Sequence, residues 1–276
     1  MPSNLETTLT LDLIEQHLSW LTARGRSENT VRAYGSDLRL FLTAQPGTTV
    51  GTMEANAQTW LNQHRRTWGP KTTGRRLTSL RTFARWTGLS DALADYTAPT
   101  PARSVPHPLP EGIDGVLRMI GAAKNPQQVA LVALCGLVGL RVAEALSVQP
   151  RDIDYHEMTL SVRGKGDKTR IVPVSDKAWL HLATAVGAAV MNGHPTVVGY
   201  QDRFARECLT NMAARAGLKR AVSSHDLRAT FATAAYNACS DPLVVRDLLG
   251  HSSVETTQVY IGVGMASMRA AAGGVA

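Results

Sequence analysis

The sequence predicts a mainly α protein with one small β-hairpin, arranged as an all-helical first domain and an α+β second domain. Three observations carry this. Apolar residues recur at steps of three and four along most of the chain, as on one face of a helix. Apolar and polar residues alternate over Met158–Val162 and, less cleanly, over Arg170–Val174. Between Thr97 and Gly112 the chain carries Pro99, Pro101, Pro106, Pro108 and Pro110, too dense for a helix or a central strand. The expected division is therefore a helical domain over 1–96, a semi-rigid linker over 97–111, and a second domain over 112–276.

In the first domain, Leu9, Leu13, Ile14, Leu18 and Leu21 fall near helical spacing, as do Val31, Tyr34, Leu38 and Phe41. Thr52 suits the N-cap of a third helix through Trp60 and Leu61. Pro70 suits the first turn of a fourth, which runs to about Trp86 and stops at Gly88. From His64 to Trp86 the charges are Arg65, Arg66, Lys71, Arg75, Arg76, Arg81 and Arg85, with no acidic residue among them. A solvated face usually mixes signs; a run of one sign favours contact with phosphate.

The second domain is expected to hold helices over 112–122, 126–138 and 141–148, then two strands around the turn Arg163–Thr169. Further helices are expected over 176–190, 201–216, 225–238, 242–249 and 254–262. Asp241-Pro242 opens the penultimate one and Gly250 closes it.

The chain has 276 residues, a formal charge of +7 and 44% hydrophobic residues, enough apolar material for real cores. A basic balance suits a polyanionic partner, although a soluble basic protein without one has the same balance. Cys135, Cys208 and Cys239 are odd in number and form no CxxC pair, so neither a disulfide framework nor a cysteine zinc site is expected. Cys135 lies in an apolar run and reads as a core residue of a reduced, intracellular protein. Residues 1–10 lack a basic and then apolar leader, and Val129–Leu140 is too short to span a bilayer.

Four short segments carry polar groups suited to chemistry. Arg141 follows a buried apolar run and needs an anion there; Glu144, three residues on, shares its face. Taken alone, these residues read more simply as a structural Arg–Glu pair. Lys165 sits between Gly164 and Gly166 at the hairpin tip, where an ordinary exposed lysine is the plain alternative. His225 falls in a helix first turn after Ser223 and Ser224, and Arg228 lies on the same face; a helix N-terminus suits an anion. His251 follows Gly250 at a corner, ahead of a short helix carrying Tyr260.

In this order, within one domain and after a basic helical domain, the segments resemble the tyrosine recombinase family of phage integrases and Xer-type recombinases. The matched positions are Gly139-Leu140-Arg141 with Glu144, Lys165, His225 with Arg228, Leu249-Gly250-His251, and Tyr260 after Thr256-Thr257. Ala229 departs from the pattern, in which many relatives place a histidine. The resemblance covers nearly the whole chain.

The resemblance implies that Tyr260 attacks a DNA phosphodiester and leaves a 3′-phosphotyrosine and a free 5′-hydroxyl. Arg141 and Arg228 would clamp the non-bridging oxygens, and Lys165 would protonate the leaving oxygen. His225 would assist proton transfer, His251 would hydrogen-bond the phosphate, and Glu144 would orient its neighbours. No metal or other cofactor is expected. Lys71, Arg75, Arg76 and Arg81, with Lys168 and Arg170 of the hairpin, are expected to contact DNA.

The family also implies a C-shaped clamp on double-stranded DNA core sites and a homotetramer in the synaptic complex. A monomer in free solution and an accessory directionality factor are left open. The core-binding pattern begins near residue 8, so no further arm-binding domain is expected. The expected role is that of a compact phage integrase in the bacterial cytoplasm or nucleoid. A Xer-type chromosome or plasmid resolvase is the alternative. A non-catalytic DNA-binding protein and a type IB topoisomerase are rivals of other classes.

Overall fold

The computed structural model describes residues 4–100, 107–164 and 169–250. The chain divides into two compact units, Met1–Ser104 and Val105–Ala276.

The first unit holds four helices: α1 (Leu11–Ala23), α2 (Glu28–Ala44), α3 (Met53–Gln63) and α4 (Pro70–Trp86). Thr10 and Ser27 cap α1 and α2 by accepting from the backbone N–H groups of Leu13 and Thr30. Thr52 occupies the N-cap position of α3 but makes no side-chain cap. Its hydroxyl instead accepts from the Thr49 N–H at 2.9 Å, so the preceding turn competes for it. Pro70 starts α4 at the position where its missing N–H costs nothing. Ile14, Phe41, Leu61, Leu80 and Phe83 are fully buried where the four helices meet.

His17 lies in the same core with no exposed surface. Its ring packs against Trp20, Phe83 and Trp86. Neither ring nitrogen has a hydrogen-bond partner. Burial lowers its pKa from 6.5 to about 4, because charging the ring here would strand a cation among aromatic side chains.

The second unit opens with α5 (Gly112–Gly121), α6 (Pro126–Gly136) and α7 (Val142–Ser147). A 3-10 turn at Pro150–Asp152 leads into strands β1 (Ile153–Asp154), β2 (Thr159–Arg163) and β3 (Thr169–Pro173). Helices α8 (Asp176–Met191), α9 (Asp202–Arg215), α10 (Ser224–Cys239) and α11 (Pro242–Leu249) complete the described part. The helix expected over 254–262 lies outside the described residues. The strands form one antiparallel sheet in the order β1-β2-β3, with Arg163 opposite Thr169 and Val162 opposite Arg170. The two-residue β1 is too short for alternation to reveal it.

Helix α6 is the centre of this unit: every residue from Ala130 to Gly136 is buried, and it packs against α5, α8 and α10. Truncating a side chain such as Leu134 there costs about 2–5 kcal/mol. Cys135 belongs to this core, where burial pushes its thiol up to about 12, so it stays a neutral packing group. The run from Val129 to Gly136 in α6 is wholly apolar, and Arg141, Glu144 and Arg228 meet just past its C-terminal end.

Candidate active site

Just past α6 the chain must turn sharply. Gly139 supplies the turn with φ of 80°, and the ring of Phe231 from α10 lies where a β-carbon would be. Both facts require glycine. The turn delivers Arg141 to the N-cap of α7, where Glu144 closes a capping box by accepting from the Arg141 backbone N–H at 2.9 Å. Arg141 Nη1 also donates to Glu144 Oε1 at 2.8 Å. The arginine side chain remains 43% exposed, whereas that of Glu144 is 7% exposed.

Two further arginines reach the same carboxylate. Arg170 of β3 donates from Nη1 to Oε1 and from Nη2 to Oε2, both at 3.0 Å. Arg228 of α10 places Nη1 3.7 Å from Oε2. Burial pushes the Glu144 carboxyl upward, but the hydrogen bonds and charges of Arg170 and Arg141 outweigh it and bring it to about 2. Glu144 is therefore an anion that ties three cations together.

Arg228 is 1% exposed. Its Nη1 donates to the Gly139 carbonyl and its Nη2 to the Leu249 carbonyl, each at 2.7 Å. It thus staples the turn before Arg141 to the end of α11. There Gly250 takes φ of 63° and ends the helix, leading directly into His251. Ser223 caps α10 and forms a capping box with Asp226, which sets His225 in the exposed first turn, three residues before Arg228.

The structure thus gathers Arg141, Glu144, Arg170 and Arg228. Lys165, Lys168, His251 and Tyr260 lie outside the described residues. No group of His, Cys, Asp or Glu side chains among the described residues could hold a metal ion.

The basic helix α4 has internal partners that its own segment does not reveal. Asp37 of α2, 2% exposed, takes Arg75 by an ion pair and lies 3.4 Å from Arg76 Nε. The Arg76 guanidinium sits 3.7 Å over the Trp68 ring. Arg81 donates to the carbonyls of Leu93, Ala94 and Tyr96. Of the α4 residues read as DNA contacts, Lys71 is exposed and makes no such bond among the described residues. The sequence reading also missed Arg170's inward role. In sequence, adjacent apolar Ile171 and Val172 leave the inner face of β3 undetermined; in the structure Val172 is buried and Arg170 shares its face.

A family model described as "Phage integrase family" matches residues 114–266, and one described as "Phage integrase, N-terminal SAM-like domain" matches residues 14–88. The chain belongs to the tyrosine recombinase family. This recombinase is 32% identical to "Tyrosine recombinase XerC" of Methylobacterium sp. (strain 4-46), over 94% of its own length and 92% of that protein. It is 30% identical to "Tyrosine recombinase XerD" of Pseudomonas putida, over 93% of its own length and 94% of that protein. In fold it resembles a lambda integrase dimer bound to a COC′ core site, with a TM-score of 0.73 and 17% identity over 92% of this chain and 78% of that one. It also resembles XerH bound to difH, with a TM-score of 0.66 and 18% identity over 91% and 81% of the two chains. The recombinase is thus a tyrosine-type site-specific enzyme, mostly helical with a three-stranded antiparallel sheet. No helix among the described residues is long and apolar enough to cross a membrane.

Proposed function

We propose that this recombinase is of the Xer type, acting on double-stranded DNA in the bacterial cytoplasm by cutting and rejoining it through a 3′-phosphotyrosine and a Holliday junction. The arginine cluster on Glu144 carries the reading. Arg141 spends one terminal nitrogen on Glu144 and keeps the rest of a 43% exposed guanidinium for an outside anion. A phosphodiester in its transition state is such an anion. Arg228 joins Arg141 on the non-bridging oxygens once its terminal nitrogens leave the Gly139 and Leu249 carbonyls that hold them here. Tyr260 attacks phosphorus, Lys165 protonates the departing 5′-oxygen, His225 takes part in proton transfer and His251 hydrogen-bonds the phosphate. The bond energy is kept in the phosphotyrosine, so rejoining needs no ATP.

The Xer-type role is favoured over the compact phage integrase expected above because relatives bearing that name align along nine-tenths or more of both chains. Residues 1–96 serve as the helical DNA-binding domain, 97–111 as the connection and 112–276 as the catalytic domain. Four protomers assemble on two sites.

The test is covalent capture on a nicked suicide duplex carrying the site this protein selects from random-sequence DNA. Wild type is expected to give a protease-sensitive protein–DNA adduct. Tyr260→Phe is expected to bind equally and give none. An adduct that persists in Tyr260→Phe overturns the assignment.

A further inference from the structure

The hairpin strand β3 presents one charged residue to the interior. Arg170 lies on the same strand face as the buried Val172, while Ile171 between them is 62% exposed. The Arg170 side chain is 18% exposed. Both of its terminal nitrogens are taken by Glu144, and its Nε makes no hydrogen bond. Nothing in this arrangement reaches outward to a DNA backbone.

The stem of Arg170 is committed as well. A β-carbon on Gly250 would stand 2.6 Å from Arg170 Nε and 2.7 Å from its Cδ. Gly250 thus has two reasons to be glycine: its φ of 63° and the arginine lying on it. One side chain touches the Glu144 carboxylate that orders Arg141, and also the corner that precedes His251.

We propose that Arg170 is a positioning residue for the strand-cleavage reaction, holding Glu144 by both oxygens so that Arg141 keeps its aim, and bracing the Gly250 corner. This inference rests on the recombinase reading above. Without the fork, each oxygen of Glu144 loses one donor and the carboxylate can turn about its terminal torsion, which is intrinsically broad. Arg141 then loses its fixed partner. Lysine cannot substitute, because one ammonium cannot grip both oxygens while a planar group lies on Gly250. A displacement of about 1 Å at a reacting group costs on the order of 100-fold in rate.

The experiment measures single-turnover adduct formation by full-length wild type, Arg170→Lys and Arg170→Gln on the selected suicide duplex, with Tyr260→Phe as the blank. Each protein is assayed well below its own melting temperature. Both Arg170 variants are expected to bind with unchanged affinity and salt slope, and to cleave on the order of 100-fold more slowly at saturating DNA. The acid limb of their rate profile is expected to move to higher pH as Glu144 loses its fork. Adding Glu144→Gln to Arg170→Lys is expected to lower the rate little further, since the two act as a unit.

Weaker binding with a salt slope reduced by about 1 and an unchanged saturating rate identifies a DNA contact and overturns the inference. Arg170→Lys cleaving like wild type overturns it too and leaves only a role in stability. Wild type giving no adduct overturns the recombinase reading itself, and the inference with it.

Discussion

Each unit of the chain buries one carboxylate beneath arginines, and the two outcomes are opposite. Asp37 in the first unit meets Arg75 and Arg76, yet burial outweighs them and its pKa is raised. Glu144 in the second is similarly buried, yet its pKa falls to about 2. Glu144 has three arginines to the two of Asp37, but the larger difference lies in the hydrogen bonds. Glu144 receives a two-pronged fork from Arg170, a third side-chain bond from Arg141 and a backbone N–H. Asp37 has one short pair with Arg75 and a looser approach by Arg76, whose guanidinium lies over Trp68. A carboxylate ionises firmly in a protein when its lone pairs are filled. The Glu144 site is a rigid platform that holds an exposed arginine in place, and the Asp37 site is a helix-packing contact.

The strongest way to break that contrast is Glu144→Ala. Arg228, 1% exposed, then loses its countercharge along with Arg170. Removing one partner of a buried pair costs about 3–5 kcal/mol, so urea unfolding is expected to show a loss in that range and adduct formation to slow by on the order of 100-fold or more. Acid titration sharpens it. The folded Glu144 pKa lies below its unfolded value, so its contribution is fully present above pH 4.5 and is lost as pH falls through about 2. The stability gap between wild type and Glu144→Gln should close over that window.

His17 provides the next effect, as a buried polar group with no partner. Its folded pKa of about 4 lies below 6.5, so the unfolded chain binds the extra proton between these values. Stability is full above pH 6.5 and falls by roughly 3 kcal/mol as pH drops to about 4. His17→Leu should flatten that slope and exceed wild type at pH 5 in a thermal melt.

Asp37→Ala is expected to cost less than Glu144→Ala, about 2 kcal/mol, because Arg75 is 40% exposed and can turn to water. Equal costs for the two alanine variants would break the comparison.

The smallest effect separates free from committed cations on α4. Lys71→Ala should leave the melting temperature unchanged and reduce the salt slope of DNA binding by about 1. Arg81→Ala should do the reverse, since its guanidinium holds the Leu93 and Tyr96 carbonyls.

Much of the fold is legible from local signals. Pro70 and Trp86 bound α4, Pro242 and Gly250 bracket α11, and alternation marks β2 and β3. The arginine and glutamate of the site are legible too, because Arg141 and Glu144 are three residues apart and their capping box is local. What escaped involves distant partners. No acidic residue lies among the α4 arginines in sequence, but Asp37 arrives from another helix. Arg170 read as one more cation near a basic hairpin, and its partner lies 26 residues upstream. For His17 the apolar spacing was visible, whereas the lack of any donor or acceptor nearby emerges only from packing.

The pairing of β2 with β3 places Arg170 and Val172 inward and Ile171 outward. In a strand, side chains alternate faces, so slipping one position exchanges the inner and outer sets. A single-residue insertion between Arg170 and Val172 would put the inserted residue or Ile171 against Glu144 and leave the guanidinium in solvent. Changes in length between Arg163 and Thr169 leave that parity intact. Hairpins exchanged between related recombinases should therefore keep the Arg170–Glu144 contact when their tips differ in length, whereas odd-numbered insertions between Arg170 and Val172 should break it and inactivate the chimaera.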